Sequence, residues 1–345
     1  MECKKIVKLS PAISSENIGD QIIDLYCNQI IDELFPNCMK VCIPTREHLS
    51  MIGARHVNNA DYSFVCGTNI LCSDLKHNHQ WNVNKLDVVR LEYSACQKKD
   101  FLKPWIVQHN RVSSRVLLLG AGWFQYEGIT DHYTTGIYRR FLSSVGIHSV
   151  RDSYTEQRLR KLGIKNVLNT SCPTMWNLTA DHCRKIPVKK SKKVVTTLTN
   201  YHRKNDSDEF LLNILSSYYE EVYVWLQAIE DYKYLMSLKL LNNIHILPPT
   251  LEAFNKILKD PEIEYIGTRL HGGIHALNMC KRTLIIAMDN RALEISKDTG
   301  LPIIKRNELN DRLEYMITND RKTKITLPNE NIMKWKNQFS GNIEY

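Results

Sequence analysis

The sequence has no pair of cysteines at C-x-x-C spacing and no apolar run near the ~20 residues that a membrane span requires. It begins on a mixed, charged stretch, Met1 to Lys8, rather than on a secretory leader. The ten cysteines are scattered, Cys38 and Cys42 lying closest at helix or strand spacing. Without zinc spacing or a leader, they read as reduced core thiols, not as a disulfide framework or a metal site. Also missing are the G-x-S-x-G of a nucleophile elbow and the G-x-x-x-x-G-K-[ST] of a phosphate loop, which weakens hydrolase, kinase and ATPase readings. Gly120-Ala121-Gly122 lacks the third glycine of a dinucleotide fingerprint. There is no RNP motif, zinc finger or Arg-rich tail, so the net charge of +9 does not read as nucleic-acid binding. That charge is diffuse. It suits a positive cleft for anionic substrates, or an enzyme of lipid-linked substrates drawn to an anionic bilayer face. The expectation is a cytoplasmic protein, with peripheral contact to the inner membrane face compatible with the charge.

What is present is an ordinary globular composition, 43% hydrophobic and 24% charged. The 345 residues suggest about two domains at ~150 residues each. Strand and helix patterns alternate. Ile22, Ile23, Tyr26, Ile30 and Ile31 give a 3.6-residue period that predicts a helix from about Asp20 to Leu34. "DYSFVCGTNI" reads as a strand and a Gly turn, and "RVLLLGAGWF" as a strand buried on both faces. "IHSVRDSYTEQRLRKLGI" reads as a strand and a helix capped by Asp152 or Ser153 and ended at Gly163. After a Lys-rich linker at Pro187, "VVTTLT", "EVYVWL", "IHIL", "IEYI" and "TLIIAM" read as strands. Between and after them come helices near Asp208–Tyr218 and Glu230–Leu240, one after Pro248–Pro249, one from Ile274, and one near Arg291–Thr299. Such alternation predicts an α/β protein of two Rossmann-like domains facing across a cleft. The expected division is residues 1–186, the acceptor side, 187–330, the donor side, and a C-terminal tail or helix over 331–345.

In parallel α/β sheets, ligands bind beyond the carboxyl ends of the strands. The loops there hold Asn17, Gly19 and Asp20; Asn69; Asn200, Tyr201, His202 and Arg203; and Asp289, Asn290 and Arg291. The most loaded is "YIGTRLHGGIHALNMC", residues 265–280, where a short strand becomes a helix. A helix N-terminus favours an anion. Arg269 adds a fixed charge that can fork two bonds to phosphate or carboxylate, and His271 can move a proton near neutral pH. Gly272 and Gly273 would let backbone approach a ligand. The alternative is a buried Arg and His that tie the strand to its neighbours. His271 and His275 lie four apart, but Gly272 stands where a zinc protease has Glu, and no third ligand is evident. No metal or organic cofactor is expected, and His275 reads as a packing residue. Asp20 reads as a helix cap before it reads as a sugar ligand. Arg151 could reach the cleft, or Arg151-Asp152 could be a buried ion pair that orders the turn, and the second reading is preferred.

At these residues the sequence resembles the polysaccharide pyruvyl transferase family. The segments that carry the likeness are "NIGDQII", "LLLGAGW", "SVRDSYTEQRLRKLGI", "TSCPTMW", "GTRLHGGIHAL" and "DNRALEI", in the family's order over about residues 10 to 310. The resemblance implies a GT-B-like fold, phosphoenolpyruvate as donor, and a sugar of a glycan or a lipid-linked saccharide as acceptor. The product would be a pyruvate ketal, as in exopolysaccharide or capsule biosynthesis. It implies that Arg269, Leu270 and His271 fall in the donor site, with Arg203 a further donor arginine. His271 is the expected acid–base group and His202 the second candidate, set against its reading as a surface-loop histidine. Gly272, Gly273, Asn290 and Arg291 would border the donor, and Asn17, Asp20 and Asn69 the acceptor. A GT-B glycosyltransferase using a nucleotide sugar, or a non-catalytic glycan- or anion-binding relative, would share the same features.

Overall fold

The computed structural model describes residues 3–77, 81, 83–95, 116–238 and 243–340. Cys96, Arg115 at the head of one expected strand and Leu240 at the end of one expected helix lie outside them. The chain divides into two compact units. Unit 1 comprises Met1–Ser14, Asp24–Pro173 and Pro328–Tyr345, and unit 2 comprises Ser15–Ile23 and Thr174–Leu327. This differs from a single cut at residue 187. The Asn17–Asp20 turn goes with unit 2, and the C-terminal segment goes with unit 1.

Unit 1 is built on strands β1 (Lys5–Ser10), β2 (Met39–Pro44), β3 (Tyr62–Cys66), β4 (Val116–Ala121), β5 (His148–Val150) and β6 (Val167–Asn169). They run parallel in the order β2-β1-β3-β4-β5-β6. All six residues of β4 are buried, as its unbroken apolar run requires between two helical layers. Edge strand β2 is largely exposed. The helices are α1 (Ile18–Leu34), whose first turn belongs to unit 2, α2 (Met51–Asn58), α3 (Lys85–Ala95), α4 (His132–Phe141) and α5 (Ser153–Lys161). Asp152 caps α5 by accepting from Thr155 N–H, and Gly163 beyond its end has a φ of +83°.

Unit 2 carries α6 (Ala180–Arg184), β7 (Lys193–Thr196), α7 (Asn205–Tyr218), β8 (Glu221–Trp225), α8 (Ile229–Met236), β9 (Ile244–Leu247), α9 (Leu251–Ile257), β10 (Ile263–Gly267), α10 (Leu270–Asn278), β11 (Thr283–Ala287), α11 (Asn290–Thr299), β12 (Ile303–Lys305) and α12 (Leu309–Thr318). Its sheet is also parallel, in the order β12-β11-β10-β7-β8-β9. The order reverses between β7 and β10, and that point is where a doubly wound sheet opens a crevice for a ligand. In unit 1 the reversal falls between β1 and β3.

The last helix, α13 (Asn329–Asn337), returns to unit 1. Trp335 is fully buried there, and Phe339 meets Phe35, Tyr62 and Phe64 with ring centroids 5.5, 5.0 and 5.5 Å away. Of the described cysteines, Cys27, Cys66, Cys72, Cys172 and Cys183 are buried thiols, but Cys3 and Cys42 are exposed and correct the reading of a wholly internal set. Cys42 is exposed because it sits on the edge strand β2. Among the described residues, no helix is long and apolar enough to cross a membrane.

Candidate functional site

The turn from β10 into α10 is bolted to the end of β7. Thr197 O accepts from Thr268 N–H at 3.1 Å, and Thr197 Oγ1 accepts from Arg269 N–H at 3.0 Å. The Tyr265 hydroxyl donates to Arg269 O at 2.8 Å. Arg269 stands at the N-cap of α10 and makes no side-chain cap hydrogen bond, and the positive end of the helix dipole lies at this turn. The turn therefore carries Arg269 and His271 to the crossover point between β7 and β10.

There a pocket with about 310 Å³ of empty space, part of it open to solvent, is lined by Asn17, Gly19, Tyr201, Gln227, Thr268, Arg269, Leu270, His271, Met288 and Arg291. All ten residues belong to unit 2. Its wall includes the first turns of α1, α10 and α11 through Gly19, His271 and Arg291. Among the described residues, no side-chain carboxylate lines it.

The arginines are not bare cations. Arg269 is 5% exposed. Its Nη2 bonds both oxygens of Asp231 at 2.7 and 2.6 Å, its Nε donates to Leu198 O at 3.2 Å, and its Nη1 donates to the Tyr201 hydroxyl at 3.2 Å. Asp231 also accepts from the main-chain N–H groups of Asn200 and Gln227. Arg291 pairs with Asp289 at 2.6 Å, and Arg306 pairs with Asp208 at 2.7 Å. Each guanidinium thus arrives with its own carboxylate. The pocket offers directed N–H bonds and helix ends more than a surplus of positive charge. Asp289 holds the Arg291 charge in place, so its pKa is raised despite the opposing effect of burial.

His271 is 7% exposed and lies in the first turn of α10. His202 follows Tyr201, with ring centroids 5.0 Å apart. Partial desolvation first, then Arg291, Arg306 and Arg269, push its pKa below the ordinary imidazole value, while Asp289 opposes them. It is therefore neutral at pH 7. His275 is buried, bonds Asn255 at 2.7 Å and is held neutral by desolvation, with a pKa of about 4. Among the described residues, no group of three or more His, Cys, Asp and Glu is arranged to hold a metal ion.

A model of polysaccharide pyruvyl transferases matches residues 106–290, more than half of the chain. The chain belongs to the polysaccharide pyruvyl transferase family. No curated protein matches the sequence. This pyruvyl transferase family member also aligns with UDP-GlcNAc 2-epimerase of Methanocaldococcus jannaschii, solved with UDP-GlcNAc and UDP. The TM-score is 0.50 and the identity 13%, over 95% of each chain. The Neisseria meningitidis UDP-GlcNAc 2-epimerase bound to UDP-GlcNAc aligns at 0.48 and 11%, over 99% of this chain and 100% of that one. At these identities the likeness is one of fold: two Rossmann-like units of the GT-B kind.

The structure brings Asn17, Arg269, Leu270, His271 and Arg291 to one pocket. Other expected residues stand elsewhere. Arg203 is exposed, bonds Asn200 O and lies over the Tyr234 ring at 5.2 Å, outside the lining. Asn290 is buried in the first turn of α11 and does not line the pocket. Asp20 is buried and accepts from the Ser15 hydroxyl at 2.6 Å. The cap of α1 is Asn17, whose Oδ1 accepts from Gly19 N–H at 3.0 Å. Asn69 lies in unit 1, bonded to Phe124 O and Arg151. Gly273 is a packing glycine. A Cβ there would stand 2.4 Å from Ile285 Cγ1, so its role is to bring α10 onto β11. Sequence reasoning missed Gln227, Asp231 and Met288. Gln227 and Asp231 lie far from the motif in the chain, and only the strand-end rule could have drawn attention to Gln227, two residues after β8. Met288 stands directly before Asp289 and reads there as one more apolar residue of the strand.

Proposed function

We propose that the protein transfers the pyruvyl group of phosphoenolpyruvate to two hydroxyls of one sugar in a glycan or glycolipid, forming a pyruvate ketal and releasing phosphate. The observation that carries this reading is the single pocket at the β7–β10 crossover that gathers Arg269, His271, Arg291 and the N-terminus of α10. Family membership supplies the chemistry to be tested.

In this reading, the α10 N-terminus, Arg291 and the Nη1 of Arg269 hold the phosphate and carboxylate of the donor. Asp231 fixes the remaining faces of Arg269, so the guanidinium stays in place when the ligand leaves. His271 donates a proton to the methylene carbon, and the first sugar hydroxyl adds to C2 with loss of its own proton. Departure of phosphate leaves an oxocarbenium-like centre beside the carboxylate, which the second hydroxyl attacks. One proton enters the methyl group, two leave the hydroxyls, and the surplus leaves with phosphate. His202, neutral at pH 7 and close to the three arginines, is the candidate to receive a hydroxyl proton.

The test is incubation with phosphoenolpyruvate and candidate glycans, following inorganic phosphate and product mass. Expected are phosphate release that depends on acceptor and a product heavier by pyruvate less water. His271→Ala should lower turnover with a smaller effect on donor affinity. Transfer of a sugar from a nucleotide sugar would replace this reading with glycosyl transfer. Ligand binding without any turnover would replace it with a binding role.

A further inference from the structure

Gln227 follows β8 and is 1% exposed. Its main chain is tied on both sides: its N–H donates to Asp231 at 3.1 Å, and its carbonyl accepts from Ile18 N–H at 3.4 Å. The same Asp231 grips Arg269. The side chain is thereby held in the pocket wall, and its Nε2 has no hydrogen-bond partner. A buried amide donor left without an acceptor is destabilising, so an orphan of this kind asks for an explanation. The surroundings supply one. A Cβ on Gly272 would stand 3.3 Å from Nε2, so glycine at that position leaves the amide its room. The lining beside it includes the donors Arg269, Arg291 and the first turn of α10, together with the hydroxyls of Tyr201 and Thr268 and the amide of Asn17. Among the described lining residues there is no carboxylate and none accepts from Nε2, so a bound oxyanion can supply the missing acceptor.

We propose that Gln227 is a binding residue whose Nε2–H2 group donates to an oxyanion oxygen of the bound ligand. On the function proposed above, on which the ligand's identity rests, this is an oxygen of phosphoenolpyruvate. The amide adds a neutral, directional donor to the paired arginines. It selects the ligand by the position of its oxyanion rather than by net charge.

The experiment titrates phosphoenolpyruvate, inorganic phosphate, pyruvate and a nucleotide sugar into the full chain by calorimetry. It compares wild type with Gln227→Met and Gln227→Glu, and records melting temperatures for all three. Gln227→Met should weaken phosphoenolpyruvate binding roughly 10- to 100-fold, the worth of one hydrogen bond to a charged group. Gln227→Glu should weaken it further, because a carboxylate faces the anion. Gln227→Met should melt no lower than wild type, since it removes an unpaired buried polar group; a purely structural glutamine would cost stability instead. Whether phosphate or pyruvate loses affinity in parallel tells which oxyanion the amide meets. Unchanged phosphoenolpyruvate affinity in Gln227→Met overturns the role of Gln227 and leaves the function standing. If wild type binds the nucleotide sugar and not phosphoenolpyruvate, and Gln227→Met weakens that, the role stands and the function falls. Wild type that binds none of the four overturns both.

Discussion

At the carboxyl edge of the first sheet Arg151 follows β5, and at that of the second sheet Arg269 follows β10. Both guanidiniums are buried and paired with aspartate, Arg151 with Asp152 at 2.9 Å and Arg269 with Asp231 at 2.6 Å. Their settings differ. Arg151 bonds Trp123 O and Asn69, and a Cβ on Gly122 would stand 2.0 Å from its Cζ. Its Nη1 lacks a partner, but the residue is 1% exposed beneath a backbone that lies directly on it. Arg269 lines a pocket with His271, Arg291 and Gln227 beside it. An arginine at a strand end is thus not a ligand site in itself. What distinguishes the two is room beyond the guanidinium and donors that converge on that room.

The sharpest break of this comparison is a matched pair of variants. Arg269→Met should abolish phosphoenolpyruvate binding and leave Asp231 buried without its cation, a cost of about 3–5 kcal/mol in urea unfolding. Adding Asp231→Leu should return much of the stability and none of the binding. Arg151→Met should cost stability on a similar scale while donor affinity stays within a factor of about two, because Arg151 is not among the residues that line the pocket. Equal loss of affinity from both single variants would erase the distinction.

Acid treats the two units alike. Burial holds His148 in unit 1 and His275 in unit 2 at pKa values of about 4. Unfolded imidazole takes up a proton near pH 6.5, so between about 6.5 and 4 the unfolded state binds more protons. Stability is full above that window and falls as pH drops through it, by roughly 1.4 kcal/mol per pH unit for each histidine. Denaturant unfolding at stepped pH should show this slope, and His275→Gln should flatten it. A slope that the substitution leaves unchanged would count against a neutral buried His275.

The smallest effect belongs to one of two contrasting glycines. Gly122→Ala must push against Arg151 and should be strongly destabilising, whereas Gly136 in α4 has open space where a Cβ would stand. Gly136→Ala should stabilise the chain by about 0.5–1 kcal/mol, read as a raised melting temperature.

Much of this was legible in the chain itself. The continuous apolar run of β4, the Asp152 cap of α5 and the β10–turn–α10 passage announce themselves through local pattern. So does the gathering of Arg269, His271 and Arg291 near strand ends. The partners were not legible. Asp231 lies 38 residues from Arg269 and reads, locally, as one more acidic residue in the first turn of a helix. The orphan amide of Gln227 has no local pattern at all, since it arises from where β8 sits in the sheet. Gly272 and Gly273 looked like open backbone because glycine is the same letter whether it admits a ligand, a neighbouring amide or a neighbouring strand. The grouping of the Asn17 turn with unit 2 and of α13 with unit 1 depends on long-range packing that a cut at a Lys-rich linker does not register.

Hydrogen–deuterium exchange with and without phosphoenolpyruvate tests the central claim most directly. The account expects slowed exchange in the peptides that carry Tyr201, Gln227, His271 and Arg291, and no change in those that carry Asn69, Gly122 and Arg151. Protection confined to the strand ends of unit 1, with the unit 2 peptides unaltered, would contradict it.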